Sequence, residues 1–266
     1  MRRFAVAALL LAASASGAAA QTTRLEVGYS VYLTGIPIGR GSVTLDLNET
    51  DFVVSGSVRS SGLIRLISKG DASANVKGSL KANHVTSSVF SGRYNSSRRE
   101  QKIELHVVNG FAKEVSIEPP HLDPENRRVP ITKESRTNVV DPLSAALLLV
   151  PAKGDALSPE SCNRTLPIFD GRYRFDVVLS FLRTEKIRRN ADGYQGPVLV
   201  CQARYIPIAG HHAGGATAQQ MAANRDIFVW LAPVSGSRLL IPVKASVSTP
   251  MGTFVAEATR FNASQR

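Results

Sequence analysis

Residues 141–162 read DPLSAALLLVPAKGDALSPESC, and this stretch decides the fold because it is the one long helix start in a chain that otherwise alternates like strands. Asp141 suits an N-cap, Pro142 suits the first helical position, where its missing N–H costs nothing, and Pro151 stops the run. Leu143, Ala146, Leu147 and Val150 fall at helical spacing, and Leu148 and Leu149 widen that stripe until the segment is apolar nearly all round. A helix of that kind is enclosed by other elements. The spacing therefore predicts one short buried helix over residues 141–150, set inside curved β-sheet.

The flanking sequence supplies the sheet. Leu25, Val27, Tyr29, Val31 and Leu33 alternate with Glu26, Gly28, Ser30 and Tyr32, the pattern of a half-buried strand. A turn at Gly35-Ile36-Pro37 leads to Val43, Leu45 and Leu47, and a third strand runs from Phe52 to Val58. Leu63, Ile64, Leu66 and Ile67 have helical spacing and predict a helical turn or an apolar loop tip. Strands resume through Ala72 to Val76 and Val85 to Phe90. Asn109-Gly110, between Ile103 to Val107 and Val115 to Ile117, is the dipeptide best suited to a two-residue hairpin turn. Residues 118–138 are charged, contain proline and lack periodicity, which makes them a loop seam between two halves of one sheet system.

Beyond the helix, Tyr173 to Phe181 is the strongest alternating strand, with residues 197–208 as its partner. Residues 210–224 read as a loop, and three closing strands end at Phe261. The sum is on the order of eleven strands against one firm helix. The fold class is mainly β: a long curved antiparallel sheet, as a meander, open barrel or clam, around one buried helix.

At the N-terminus, Arg2-Arg3, an apolar run from Phe4 to Ala13, and Ala18-Ala19-Ala20 compose a cleavable secretory signal peptide over residues 1–20. The run is too short to span about 30 Å of hydrocarbon, and no cysteine follows it for lipid attachment. Cleavage before Gln21 leaves residues 21–266 as a single β-rich periplasmic domain that does not span the membrane. The full chain carries a net charge of +11, and removing Arg2 and Arg3 with the leader takes it to +9. A basic exported protein meets anionic lipid head groups or cell-wall polymers, and nucleic acid is excluded by the compartment. The two cysteines, Cys162 and Cys201, form an even pair in an oxidising compartment and are expected to bridge.

Several short blocks in order carry a resemblance: DPLSAALLL, a cysteine, FDGRYRFDVVL, YQGPVLVCQARYIPIAG, DIFVWLAP and LLIPVKASVSTPMGTFVAEATRF. They resemble a bacterial envelope family known only as domain of unknown function number three thousand one hundred and eight. The resemblance implies an exported, β-rich, non-enzymatic protein. In plan, a curved sheet around a helix is similar to envelope-integrity protein B and to the lipoprotein-carrier clams, a likeness of fold alone.

Catalytic signatures are missing: the chain has no GxSxG elbow, HExxH, P-loop or GxGxxG after a strand. The histidines His84, His106, His121, His211 and His212 do not compose a ligand set, so neither metal nor cofactor is expected. Asp170, Asp176, Asp192 and Asp226 sit at turns or strand ends, where acids are ordinarily solvated or bonded to backbone. Aromatics with nearby cations suggest binding instead. Trp230, Tyr205, Arg174 and Lys244 are the candidate contacts for an amphipathic ligand with an apolar tail and an acidic head. The expected function is non-catalytic binding of an amphipathic or anionic envelope component in support of envelope integrity. The alternative is a scaffold for another envelope protein or a cell-wall polymer.

Overall fold

The computed structural model describes residues 22–62, 70–81, 84–97, 100–120, 127–151, 154–188 and 192–265. The expected signal peptide over residues 1–20 and the expected helical turn or apolar tip from Leu63 to Ile67 lie outside these residues. Among the described residues, fourteen strands compose one antiparallel sheet that does not close on itself. The first meander comprises β1 (Thr23–Leu33), β2 (Ile36–Leu47), β3 (Asp51–Ser60), β4 (Gly70–Leu80), β5 (Val85–Ser96), β6 (Glu100–Val108) and β7 (Phe111–Glu118). The second comprises β9 (Arg164–Phe169), β10 (Arg174–Ile187), β11 (Gly196–Ala209), β12 (Ile227–Pro233), β13 (Leu239–Thr249) and β14 (Gly252–Gln265). The terminal strands β1 and β14 pair, from Thr23 with Gln265 to Leu33 with Phe254, so the two meanders join back to back. The chain from β7 to β9 must therefore travel from one outer edge of the sheet to the other.

Period-two patterning sets the sheet, as expected. Leu25, Val27, Leu45, Leu47, Phe52, Val54 and Val76 are all buried in one cluster, while the alternate positions of β1 and β2 are polar or small for the most part and include the charged Arg24, Glu26 and Asp46. There Arg24 grips Asp46 through bonds of 2.9 and 3.0 Å and reaches Glu26 at 3.1 Å. Asn109 and Gly110 take positive φ of 50° and 75°, as their hairpin requires. Gly78 is dictated by packing: a Cβ there would lie 2.4 Å from the Phe52 ring and 2.3 Å from the Thr86 carbonyl oxygen.

The crossing segment is the deciding stretch, and half of its predicted helix is real. Asp141 caps a single turn, α1 (Pro142–Ala145), by accepting from the backbone N–H of Leu143 at 2.9 Å and of Ser144 at 3.0 Å. The helix ends at Ala146, and the chain extends as β8 (Leu148–Leu149), pairing with Leu240 and Leu239 of β13. A continuous apolar run suits a buried strand as well as a buried helix. Here the open edge of β13 wins, because β14 pairs with β13 only from Lys244 onward and leaves the first half free. Extension also splits the side chains. Leu147 and Leu149 enter the cluster with Leu25 and Val27, whereas Leu148 and Val150 enter a second cluster with Leu199, Leu231 and Leu240.

Cys162 and Cys201 form a disulfide with Cα atoms 5.7 Å apart, and both are fully buried in that second cluster. The bridge fastens the crossing segment to β11. A second departure from expectation falls at residues 210–224, where α2 (Ala216–Ala223) occupies part of the predicted loop. Its Ala, Gln and Met residues favour helix, but it buries none of them and so has no apolar stripe to announce it.

Although the sheet is open, its ends meet. Residues 139–140 link them: Val139 N–H donates to Gly110 at 2.9 Å, Val140 N–H to Pro167 at 2.9 Å, and Phe169 N–H to Val140 at 2.9 Å. A Cβ on Gly171, in the β9–β10 turn, would lie 2.8 Å from Ile103 of β6.

Candidate functional site

A groove of about 890 Å³ runs beside α1 and β8. Val139, Ala145, Leu147, Leu148, Leu149 and Leu166 give it an apolar wall. Its position follows from the topology: the crossing segment, bonded to the β6–β7 turn and to β9, lines the groove together with the β4–β5 turn, the β6–β7 turn and the start of β9. Lys81, Glu160 and Arg164 bring charge to this apolar space, and His84 an imidazole. Lys81, His84 and Glu160 are exposed, whereas Arg164 is half-buried. Its Nη1 donates to the Leu149 carbonyl at 2.9 Å, and its Nε is buried without a partner. Burial lowers its pKa from the ordinary guanidinium value.

Asp141 is fully buried at the base of α1. Burial pushes its carboxyl up from the ordinary aspartate value, against the pull of the backbone N–H groups it caps. The hydroxyls of Ser144 and Ser87 stand beside it. Neither they nor Asp141 Oδ2 reach hydrogen-bonding geometry. Ser144 also lines the groove, so the helix cap and the groove share a wall.

On the other side of α1, Leu143 overlooks a shallower trough of about 380 Å³ floored by Gly41, Gly56, Ala72, Ala74 and Ala256. Small side chains keep this part of the concave face open, where Leu25, Leu45 and Phe52 fill the other.

None of the four predicted contact residues lines the groove. Pairing across the sheet explains the position of two of them. Cys201, Val229, Ala245, Ala256 and Val31 lie opposite one another in successive strands, and paired residues share a face. Val200, Trp230, Lys244, Glu257 and Ser30 compose the adjacent row and so take the opposite face, away from the trough. There Lys244 Nζ lies 5.0 Å from the Trp230 ring centre, and Trp230 Nε1 donates to Glu185 at 2.7 Å. Burial pushes the Glu185 carboxyl up, but the bonds from Trp230 and Arg183 outweigh it and hold it below the usual range. Tyr205 stacks at 5.0 Å on Phe175 and lines a separate cleft of about 360 Å³ with His211, His212 and α2. Arg174 is held by Asp176 at 2.5 Å. Trp230 and Lys244 are thus brought together, and Tyr205 and Arg174 belong elsewhere. Among the described residues, no group of three or more His, Cys, Asp or Glu side chains is arranged to hold a metal ion.

The groove residues Arg164, Lys81 and Ser144 carry no signal that singles them out in the sequence. Arg164 opens a strand as any basic residue might by chance; only the crossing of β8 makes it line a groove.

An open, curved β-sheet with an apolar hollow defines the class as barrel-like β-proteins. Within it the chain belongs to the family described as protein of unknown function DUF3108, whose model matches residues 28–259. No curated protein matches the chain. Among solved structures it is similar to a beta-barrel-like protein of domain of unknown function DUF1849 from Brucella abortus, at 8% identity and a TM-score of 0.52, covering 91% of this chain and 98% of that one. That likeness is one of fold.

Proposed function

We propose that this chain is a non-catalytic periplasmic protein that holds an amphipathic envelope component in the groove beside α1 and β8 and so supports envelope integrity. The observation carrying this reading is the groove itself: about 890 Å³, walled by leucine and valine, with cationic side chains among them. Clefts of roughly 300–1,000 Å³ with mostly apolar walls and few polar groups are the ordinary form of a small-molecule site. Each methylene buried there contributes about 0.8 kcal/mol, so one twelve-carbon chain supplies several kcal/mol. The leader-like residues 1–20 and the buried disulfide agree with an exported, oxidising location.

Thermal unfolding tests this reading. Trp230 stands away from the groove, so melting temperature serves better than its fluorescence. Anionic single-chain lipid at a hundred times its Kd stabilises a bound protein by about 2.7 kcal/mol. Thr165 is exposed and lines the groove, so Thr165→Trp narrows the space without entering the core. The expected result is a melting-temperature rise in the unmodified protein that Thr165→Trp diminishes. No rise with any single-chain lipid refutes the reading. The scaffold alternative draws on β7, which pairs among the described strands with β6 alone and offers an edge for strand addition.

A further inference from the structure

Resting on the groove as a ligand site, we infer that the acid group of its ligand seats inside the groove on the Arg164 guanidinium, making the ligand a single-chain amphiphile with one carboxylate or phosphate head. Arg164 opens β9, where the strand leaves the disulfide-tethered turn, and its side chain runs under β8 to donate to the Leu149 carbonyl at 2.9 Å. That one bond satisfies Nη1 alone, and Nε is buried without a partner. Glu160 lines the same groove, but it is exposed and its carboxyl is held low by its own backbone N–H and Ser158, with no contribution from Arg164. A guanidinium does not shed its proton in a protein, so burial cannot be relieved by neutralisation as it is for lysine. A half-buried cation with one carbonyl partner and a buried, unpartnered Nε favours an anion arriving in the apolar hollow it borders, and its fork geometry suits two oxygens of one acid group. The apolar side chains from Leu147 to Leu149 then flank the tail. The head therefore lies within the groove, while Lys81 remains an exposed cation at its border, beside the exposed His84.

The test compares dodecanoate, dodecyl phosphate and dodecanol, which share a tail and differ in head, by calorimetric titration at pH 7. Unmodified protein should prefer an acid over the alcohol by tenfold or more; the favoured head identifies carboxylate or phosphate as the natural group. Arg164→Gln should bring acid and alcohol within about twofold of each other while alcohol binding persists, and Arg164→Lys should restore part of the preference. Because the cation is half-buried, raising salt from 0.05 to 0.5 M should alter the ratio less than threefold, on the order of what an incompletely screened pair gives. Equal binding of acid and alcohol by unmodified protein overturns the Arg164 assignment but leaves the groove as a ligand site. An acid preference that survives in folded Arg164→Gln does the same. Absence of binding by all three overturns both.

Discussion

Replacing Asp141 tests how the crossing segment is anchored. Asp141→Ala removes the acceptor for the Leu143 and Ser144 N–H groups, and Ser144 is 1% exposed, so water does not replace it. Loss of an N-cap costs about 1 kcal/mol, and an orphaned buried donor a further 1–3 kcal/mol, for a total of roughly 2–4 kcal/mol. In a domain of this size each kcal/mol moves the melting temperature by about 2–4 °C, so the fall should be roughly 5–15 °C. Asp141→Asn keeps the accepting oxygen and removes the charge. The carboxyl has a raised pKa in the fold because it is buried, so the folded state holds a proton that the unfolded chain releases. Its stabilising contribution is full below the unfolded value of 3.8 and is lost as pH rises through the folded value. Asparagine abolishes that slope, which reaches about 1.4 kcal/mol per pH unit inside the window. Unfolding of the three proteins between pH 3 and 8 should show Asp141→Ala weaker than Asp141→Asn at every pH, and both variants gaining on the unmodified protein as pH rises. At pH 3, an alanine variant within 2 °C of the unmodified protein, or an asparagine variant as weak as alanine, refutes the reasoning.

Breaking the Cys162–Cys201 bridge with a double alanine substitution should lower stability by about 2–4 kcal/mol in chemical denaturation, since the bridge closes a loop across a sequence separation of 39. Gly78→Ala should cost about 1–3 kcal/mol, because the new methyl meets the Phe52 ring and the Thr86 carbonyl; a neutral effect in thermal melts would contradict the packing described. Intact mass of protein recovered from the periplasm should begin at Gln21, and retention of Met1 would contradict the export reading.

The sheet is legible in the sequence wherever one face is buried and the other wet, as in Arg24 to Leu47, because alternation then leaves a single register. Asn109-Gly110 is legible for the same local reason. The run from Leu147 to Val150 is not, since both helix and strand bury all of its side chains and the choice depends on the free edge of β13, far away in sequence. The count of about eleven strands falls short of fourteen because short or irregular strands such as β8 and β9 lack alternation. Site residues are less legible still. Trp230 and Tyr205 are conspicuous by type, but the sheet register that puts Trp230 on the face opposite the Val31 and Ala256 row is a property of paired strands. Arg164 looks like any basic residue until β8 crosses it.

Native mass spectrometry of protein purified gently from its own envelope tests the central claim most directly. The expected spectrum contains, beside bare protein, a substoichiometric species heavier by the mass of one single-chain anionic lipid, diminished in Thr165→Trp. Bare protein alone, unchanged after incubation with dodecanoate or dodecyl phosphate, would contradict a ligand-holding groove.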